Sequence, residues 1–511
     1  MLFHSILFTK KTSDKTAQTA VPPEYFTDLN LNQIIDTITQ GKEKYNLKPF
    51  FYTPLHDYEE ISYRFAIMQD MENENLLKKV ISFEEKMQTV YNQLNQSQKL
   101  FYKYQKESYF IDTVIIYCEA VINLSNDLTI TAPRSTGFLA LHSYLKNYIA
   151  SAKFTILRTT AKQIKQQLSA IQYILHIKGN SVTVHAYKAE TDYNILVKNT
   201  FAKFSQEASQ DYKVKFYIPL DMNHIEAQIL NVIANLNPEI FSALADFCQS
   251  NGNFLDETVG IFDRQIQFYI AYLQYINKLK QTGLNFCYPQ MADNCKSIYA
   301  YESFDLALAI KCTSKNQPII CNDFYLKNNE RIFVVSGPNQ GGKTTFARTF
   351  GQLHYLAGIG CPVPGKKARL FLFDNLFTHF ERAENSKTLS GKLQDDLLRI
   401  HDIFEQSTEN SIIIMNEIFT STTLNDAVFL STRVMDKIIK LDSLCVWVTF
   451  IDELADMGEK VVSMVSMTDP ENPAKRTFKI VRQAPDGCSY AISIAKKYCL
   501  TYNCLKERIK S

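Results

Sequence analysis

The 511-residue chain has almost no net charge: 55 Lys and Arg against 53 Asp and Glu leave +2 at pH 7. A protein that binds nucleic acid through bulk charge carries a larger basic excess, so any such contact here must come from a local patch. The 11 cysteines include no Cys-x-x-Cys pair, and Cys499 and Cys504 have no histidine at zinc-like spacing. That argues against a disulfide framework or zinc site and fits reduced thiols. The longest apolar stretch, Thr113 to Leu124, is too short to span a bilayer and contains Glu119. At the N-terminus the lysines follow a short apolar run instead of preceding it, which is not the order of a signal peptide. These absences lead us to expect a cytoplasmic protein with no membrane partner. No fixed-period repeat or low-complexity tract is present.

What is there is ordinary globular material, 46% hydrophobic and 21% charged, enough for roughly two or three domains. Residues 1–24 read as a loose lead-in ending at Val21-Pro22-Pro23. Residues 25–290 are mostly helical in pattern, with long runs over Ser82–Lys106, Leu139–Leu168, Asn223–Ile233 and Phe254–Lys280. The aromatic set Phe268, Tyr269, Tyr272 and Tyr275 suits a helix–helix core, with stacking on nucleic acid as the alternative. Residues 173–187 interrupt this texture as two short strands around Gly179-Asn180, either a projecting arm or a small structural ribbon. The junction falls between Gly283 and Cys295. Residues 291–511 then alternate strands (Arg331–Ser336, Ser411–Met415, Ser443–Thr449, Arg476–Val481) with helical stretches. The expected class is α + α/β, a helical domain followed by an α/β domain.

The sharpest signal is Gly337, Pro338, Asn339, Gln340, Gly341, Gly342, Lys343, Thr344 and Thr345, which matches G-x-x-x-x-G-K-[ST]. A strand leads in at Arg331–Val335 and a helical stretch follows from Thr345 to Tyr355. Glycines let backbone N–H groups turn inward around phosphates, and the helix N-terminus favours negative charge. Lys343 supplies a point charge for β and γ phosphates, and Thr344 a hydroxyl for Mg²⁺.

The apolar run Ser411–Met415 ends in Asn416-Glu417, the form of a Walker B strand. Glu417 stands where a general base would orient an attacking water. Asn416 takes the place of the usual aspartate; it can hydrogen-bond a metal-bound water but brings no negative charge. A bare polar strand end is the plainer reading. Thr423 and Asp426 follow in Ser421-Thr-Thr-Leu-Asn-Asp426; they suit a helix cap, a contact across two subunits, or both.

Together these residues resemble the MutS family. The Asn339 and paired glycines of the phosphate loop, Leu356–Pro364, Asp374–Thr378, Asn416-Glu-Ile with Ser421-Thr-Thr and Asp426, Gly487-Cys-Ser-Tyr490 and Ile494-Ala495 all resemble stretches of its ATPase domain. Asn322 resembles the asparagine of the strand bordering the adenine. The resemblance covers about residues 300–511; over 25–290 it is one of helical texture and position. It implies an ABC-type P-loop ATPase domain behind a core and lever domain. It also implies ATP and Mg²⁺ as ligands and a dimer with composite sites whose arms grip DNA.

Departures accompany the resemblance. The switch histidine after Val448-Thr449 is Phe450, which cannot hydrogen-bond a phosphate or a water. With Asn416, this leads us to expect slow or altered hydrolysis. Around the signature loop Gly391-Lys392 stand where the family has Ser-Thr, with Ser390 one residue early. Lys392 reaching a partner's phosphate and Ser390 capping a helix near Lys392 weigh evenly. No stretch matches the mismatch-reading domain: Phe83-Glu84-Glu85 lies inside a helical run. The leading expectation is therefore an ATP-gated DNA clamp on distorted or branched DNA. A non-hydrolysing ATP switch, and the same engine acting on structured RNA or ribosomes, stand behind it.

Overall fold

A computed structural model of the chain describes residues 3–10, 21–188, 193–202, 222–381, 391–469, 471, 475–485, 502 and 506. Long helices and mixed sheets are both present. The chain divides into two compact units. One comprises Met1–Phe3, Glu74–Pro133 and Leu139–Asp263; the other comprises His4–Asn73, Arg134–Phe138 and Arg264–Ser511. This division does not follow a boundary near 290, because residues 4–73 and 264–290 belong to the unit that carries the sheets. Helical periodicity shows that a segment has one apolar face, but not which unit buries that face.

The first unit is helical. Glu74–Lys99 and Lys103–Thr131 pack antiparallel, a register set by Lys79 on Asp127 at 3.1 Å and Thr113 Oγ1 donating to Gln93 at 3.0 Å. The break between them contains no Gly or Pro, which is why Ser82–Lys106 reads as one run. Lys103–Thr131 is long and apolar enough to suit a bilayer, yet 50% of its apolar window is buried inside the protein. Ser151 caps Ala152–Ser169, accepting from Phe154 N at 3.3 Å. The hairpin pairs Tyr173–Lys178 with Ser181–Ala186 around Gly179 at φ +59°, which glycine tolerates without strain. Asn223 and Glu226 form a reciprocal capping box before His224–Leu236.

The second unit is built on a six-stranded sheet in the order Leu376–Phe380, Ile412–Asn416, Leu444–Val448, Ile332–Ser336, Val461–Thr468, Arg476–Arg482. The first five strands are parallel and the last is antiparallel. Ile332–Ser336, Ile412–Asn416 and Leu444–Val448 are buried at every residue, so they read as continuous apolar runs without alternation. A four-stranded sheet (Gln290–Ala292, Lys367–Phe371, Ile298–Ser303, Asn322–Leu326) lies in the same unit.

Helix Lys343–Gly358 is buried along almost its whole length. A Cβ on Gly351 would stand 2.7 Å from Leu29 and 2.8 Å from Ile414. That close approach fixes the helix against the sheet, and with it the loop at its N-terminus. Phe268, Tyr269, Tyr272 and Tyr275 are all buried here as core, not as an exposed stacking surface. Within the lead-in, part of the described stretch 3–10 is packed. Ile6 and Leu7 are fully buried, Tyr269 donates to Ile6 O at 2.7 Å, and Arg64 Nε donates to Leu7 O at 3.0 Å.

Candidate functional site

The register of the parallel strands places their carboxyl ends side by side. Asn416 sits opposite Val448, Val448 opposite Val335, and Val335 opposite Met464. The residues that follow therefore gather on one rim: the Gly337–Thr345 loop, Glu417, Thr449-Phe450 and Ser466. Ligands of open α/β sheets bind outside such carboxyl ends.

The loop has the backbone that its glycines predict. Gly337 has φ +112° and Gly342 φ +97°, and Gln340 also adopts the left-handed region at φ +58°. At Gly341 the constraint is space: a Cβ would stand 2.2 Å from Ser466 Oγ, which donates to Gly341 O at 2.7 Å. Asn339 O accepts from Arg476 Nε at 3.1 Å. Lys343 is buried, and its Nζ donates to Gly337 O at 2.8 Å and Pro338 O at 3.2 Å. Burial pushes the Lys343 amine below its ordinary range; Glu417 opposes this and Arg476 adds to it. Thr344 Oγ1 donates to Asn416 Oδ1 at 2.9 Å. Thr345 O accepts from Thr349 Oγ1 at 2.8 Å within the helix.

Glu417 follows the buried Asn416 with φ +53°, a left-handed conformation unusual for a residue with a side chain. Its N–H donates to Val448 O at 2.9 Å, which anchors the turn. Such strained positions gather at functional sites. Asn322 bridges to the last strand: Ile480 N donates to its Oδ1 at 2.8 Å, and its Nδ2 donates to Phe478 O at 3.1 Å. Phe478 is half exposed at φ +58°, and its Cβ lies 3.8 Å from where a Gly342 Cβ would be.

The residues expected to act across subunits have contacts within this chain. Helix Lys392–Gln406 begins with Gly391 at its N-cap, so Gly391, not Ser390, holds that position. Ser390 lies outside the described residues, as do Gly487–Tyr490 and Ile494-Ala495. Lys392 pairs with Glu381, holding its carboxyl below the usual range, and Thr420 Oγ1 donates to the same oxygen at 3.3 Å. Thr423 caps Leu424–Leu441: its Oγ1 accepts from Asp426 N at 3.3 Å and donates to Asp426 Oδ2 at 2.7 Å. No local pattern pointed to Ser466, Arg476 or Glu381, whose roles depend on strand order.

Residues 333–508 match the family model of MutS domain V. The DNA mismatch repair protein MutS of Orientia tsutsugamushi (strain Boryong) is 28% identical over 220 residues, 42% of this chain and 24% of that protein. MutS of Thermotoga sp. (strain RQ2) is 28% identical over 186 residues, 35% of this chain and 23% of that protein. The DNA mismatch repair protein MSH3 of Eremothecium gossypii is 28% identical over 177 residues, 33% and 17% of the two chains. The match thus spans about a quarter or less of these relatives' length.

Proposed function

The chain belongs to the MutS family, and from that premise we propose that it is an ATP-dependent DNA-binding protein. In this reading it is an ATP-gated homodimeric clamp on distorted or branched DNA in repair or recombination, cytoplasmic and slow to hydrolyse ATP. The observation that carries the reading is the convergence of Lys343, Thr344, Asn416 and Glu417 on one sheet rim, with Thr344 bonded to Asn416 at 2.9 Å. The curated relatives are named as DNA mismatch repair proteins.

The phosphates of ATP would run along Gly337–Thr345, with Lys343 toward the terminal phosphates and Asn322 bordering the base. Thr344 and Asn416 bring two neutral oxygens together, hard donors of the kind Mg²⁺ takes. A metal held there would neutralise phosphate charge. Glu417 would orient the attacking water. Two features support slow turnover: Asn416 supplies no charge, and Phe450 supplies no hydrogen bond. Gly391, Lys392, Thr423 and Asp426, with Ser390, are the candidates for reaching a partner's site. For Lys392 this requires opening its pair with Glu381.

A second reading, an ATP switch that does not hydrolyse, is favoured by the same Asn416 and Phe450. Light scattering and DNA binding with and without ATP·Mg²⁺ test the clamp. ATP is expected to shift the mass toward a dimer and to favour branched over linear duplex, with a salt slope that counts phosphate contacts. No change in mass and no preference for DNA over RNA would sink it.

A further inference from the structure

Among the described residues, the ammonium of the phosphate loop has three contacts in hydrogen-bond or cation–π range. Two are the carbonyls of Gly337 and Pro338, at 2.8 Å and 3.2 Å from Lys343 Nζ. The third is the ring of Phe450, whose centroid lies 4.3 Å from Nζ. An ammonium has three N–H donors and no acceptor. A cation over an aromatic face is attracted by the ring's quadrupole, most strongly where water is excluded. Lys343 meets that condition, being 4% exposed.

Phe450 is not there to be buried, since it remains 51% exposed. Its backbone is held by its neighbours on the rim. Thr449 N donates to Val335 O at 3.1 Å, and Ile451 N donates to Thr449 Oγ1 at 3.0 Å. The strand that ends at Val448 pairs with the one that enters the phosphate loop. The same sheet thus sets both the ring and the lysine.

We propose that Phe450 sets the nucleotide affinity of this site, its ring competing with nucleotide phosphate for the Lys343 ammonium. The inference rests on reading Gly337–Thr345 as the phosphate site. The π face is the negative part of the ring's quadrupole, so it repels the anion that would approach the same cation. A β or γ phosphate reaching Lys343 has to displace the ring and take donors from the two carbonyls. An α phosphate, which the lysine of such loops does not contact, meets no such competition. The ring therefore weakens binding of nucleoside di- and triphosphates and leaves monophosphates alone.

The test is equilibrium dialysis of the full chain with labelled ATP and Mg²⁺, with AMP as the control ligand. It compares wild type, Phe450→Leu, Phe450→Trp and Lys343→Ala. A cation–π contact of this kind corresponds to roughly 3- to 30-fold in affinity. Phe450→Leu is expected to tighten ATP by that factor without moving AMP, and Phe450→Trp, with the stronger ring, to bind ATP no better than wild type. Lys343→Ala should lose ATP binding. Thermal unfolding of each variant checks that it is folded; the exposed ring makes Phe450→Leu a mild change. If Phe450→Leu binds ATP no tighter than wild type while Lys343→Ala loses it, the competition is overturned and the phosphate site stands. If neither wild type nor Phe450→Leu binds ATP, both are overturned.

Discussion

Thr344 Oγ1 donates to Asn416 Oδ1 at 2.9 Å, joining the helix that opens on the phosphate loop to the end of the adjacent buried strand. In the proposed ATP site this hydroxyl and amide oxygen would be offered to a divalent cation beside the phosphates, and neither carries charge. An aspartate in place of Asn416 would accept the same hydrogen bond and add a full negative charge. Asn416→Asp should therefore lower the Mg²⁺ concentration for half-maximal ATP binding by about tenfold, a gain of the size expected for a charged over a neutral acceptor. A Mg²⁺ titration of ATP binding measures it. An unchanged midpoint would mean that Asn416 does not face the metal.

Gly341 is a packing constraint as well as a loop residue. A Cβ there would stand 2.2 Å from Ser466 Oγ and 2.9 Å from Pro338 O. Gly341→Ala should destabilise the protein by about 1–3 kcal/mol, the cost of overpacking a close contact, and weaken ATP binding with it. Adding Ser466→Gly removes the nearest atom and should recover part of the loss. Urea unfolding of the single and double variants decides; equal loss in both would place the strain elsewhere.

His354 gives the fold a pH dependence. It is fully buried in the phosphate-loop helix, with Nδ1 on Phe350 O at 2.9 Å, and burial lowers its pKa from 6.5 to about 4. The unfolded chain then binds the proton more readily than the folded one, so stability is full above pH 6.5 and falls as the pH drops toward 4. Between pH 7 and pH 5 the loss from this group is about 2 kcal/mol. His142, whose pKa burial also lowers, adds in the same direction. His354→Phe should flatten the pH 5–7 slope by about that amount while keeping the ring contact with Phe350. A slope equal to wild type would contradict the assignment.

The parts of the site that are local in sequence were legible there. The glycines and lysine of 337–345 encode the turn, the strand before and the helix after within a few residues of one another. The strands at 332–336, 412–416 and 444–448 announced themselves because both of their faces are buried. What could not be read depends on strand order. Phe450 meets Lys343, and Ser466 meets Gly341, only because 444–448 and 461–468 flank 332–336 on its two sides. Lys392 was visible as a charge, but Glu381, which holds it, was not. The buried Ile6 and Leu7 were hidden for a different reason: a segment this short has no periodicity to reveal which face is covered.

The proposed role of Glu417 in an ATP site is tested most directly by ATP turnover in Glu417→Gln. Steady-state hydrolysis is measured for wild type and variant, with and without branched DNA, alongside ATP binding. The expected result is slow wild-type turnover that changes with DNA, a loss of about a hundredfold or more in Glu417→Gln, and ATP binding kept by both. Turnover that survives Glu417→Gln, or a wild-type protein that binds no ATP, would contradict it.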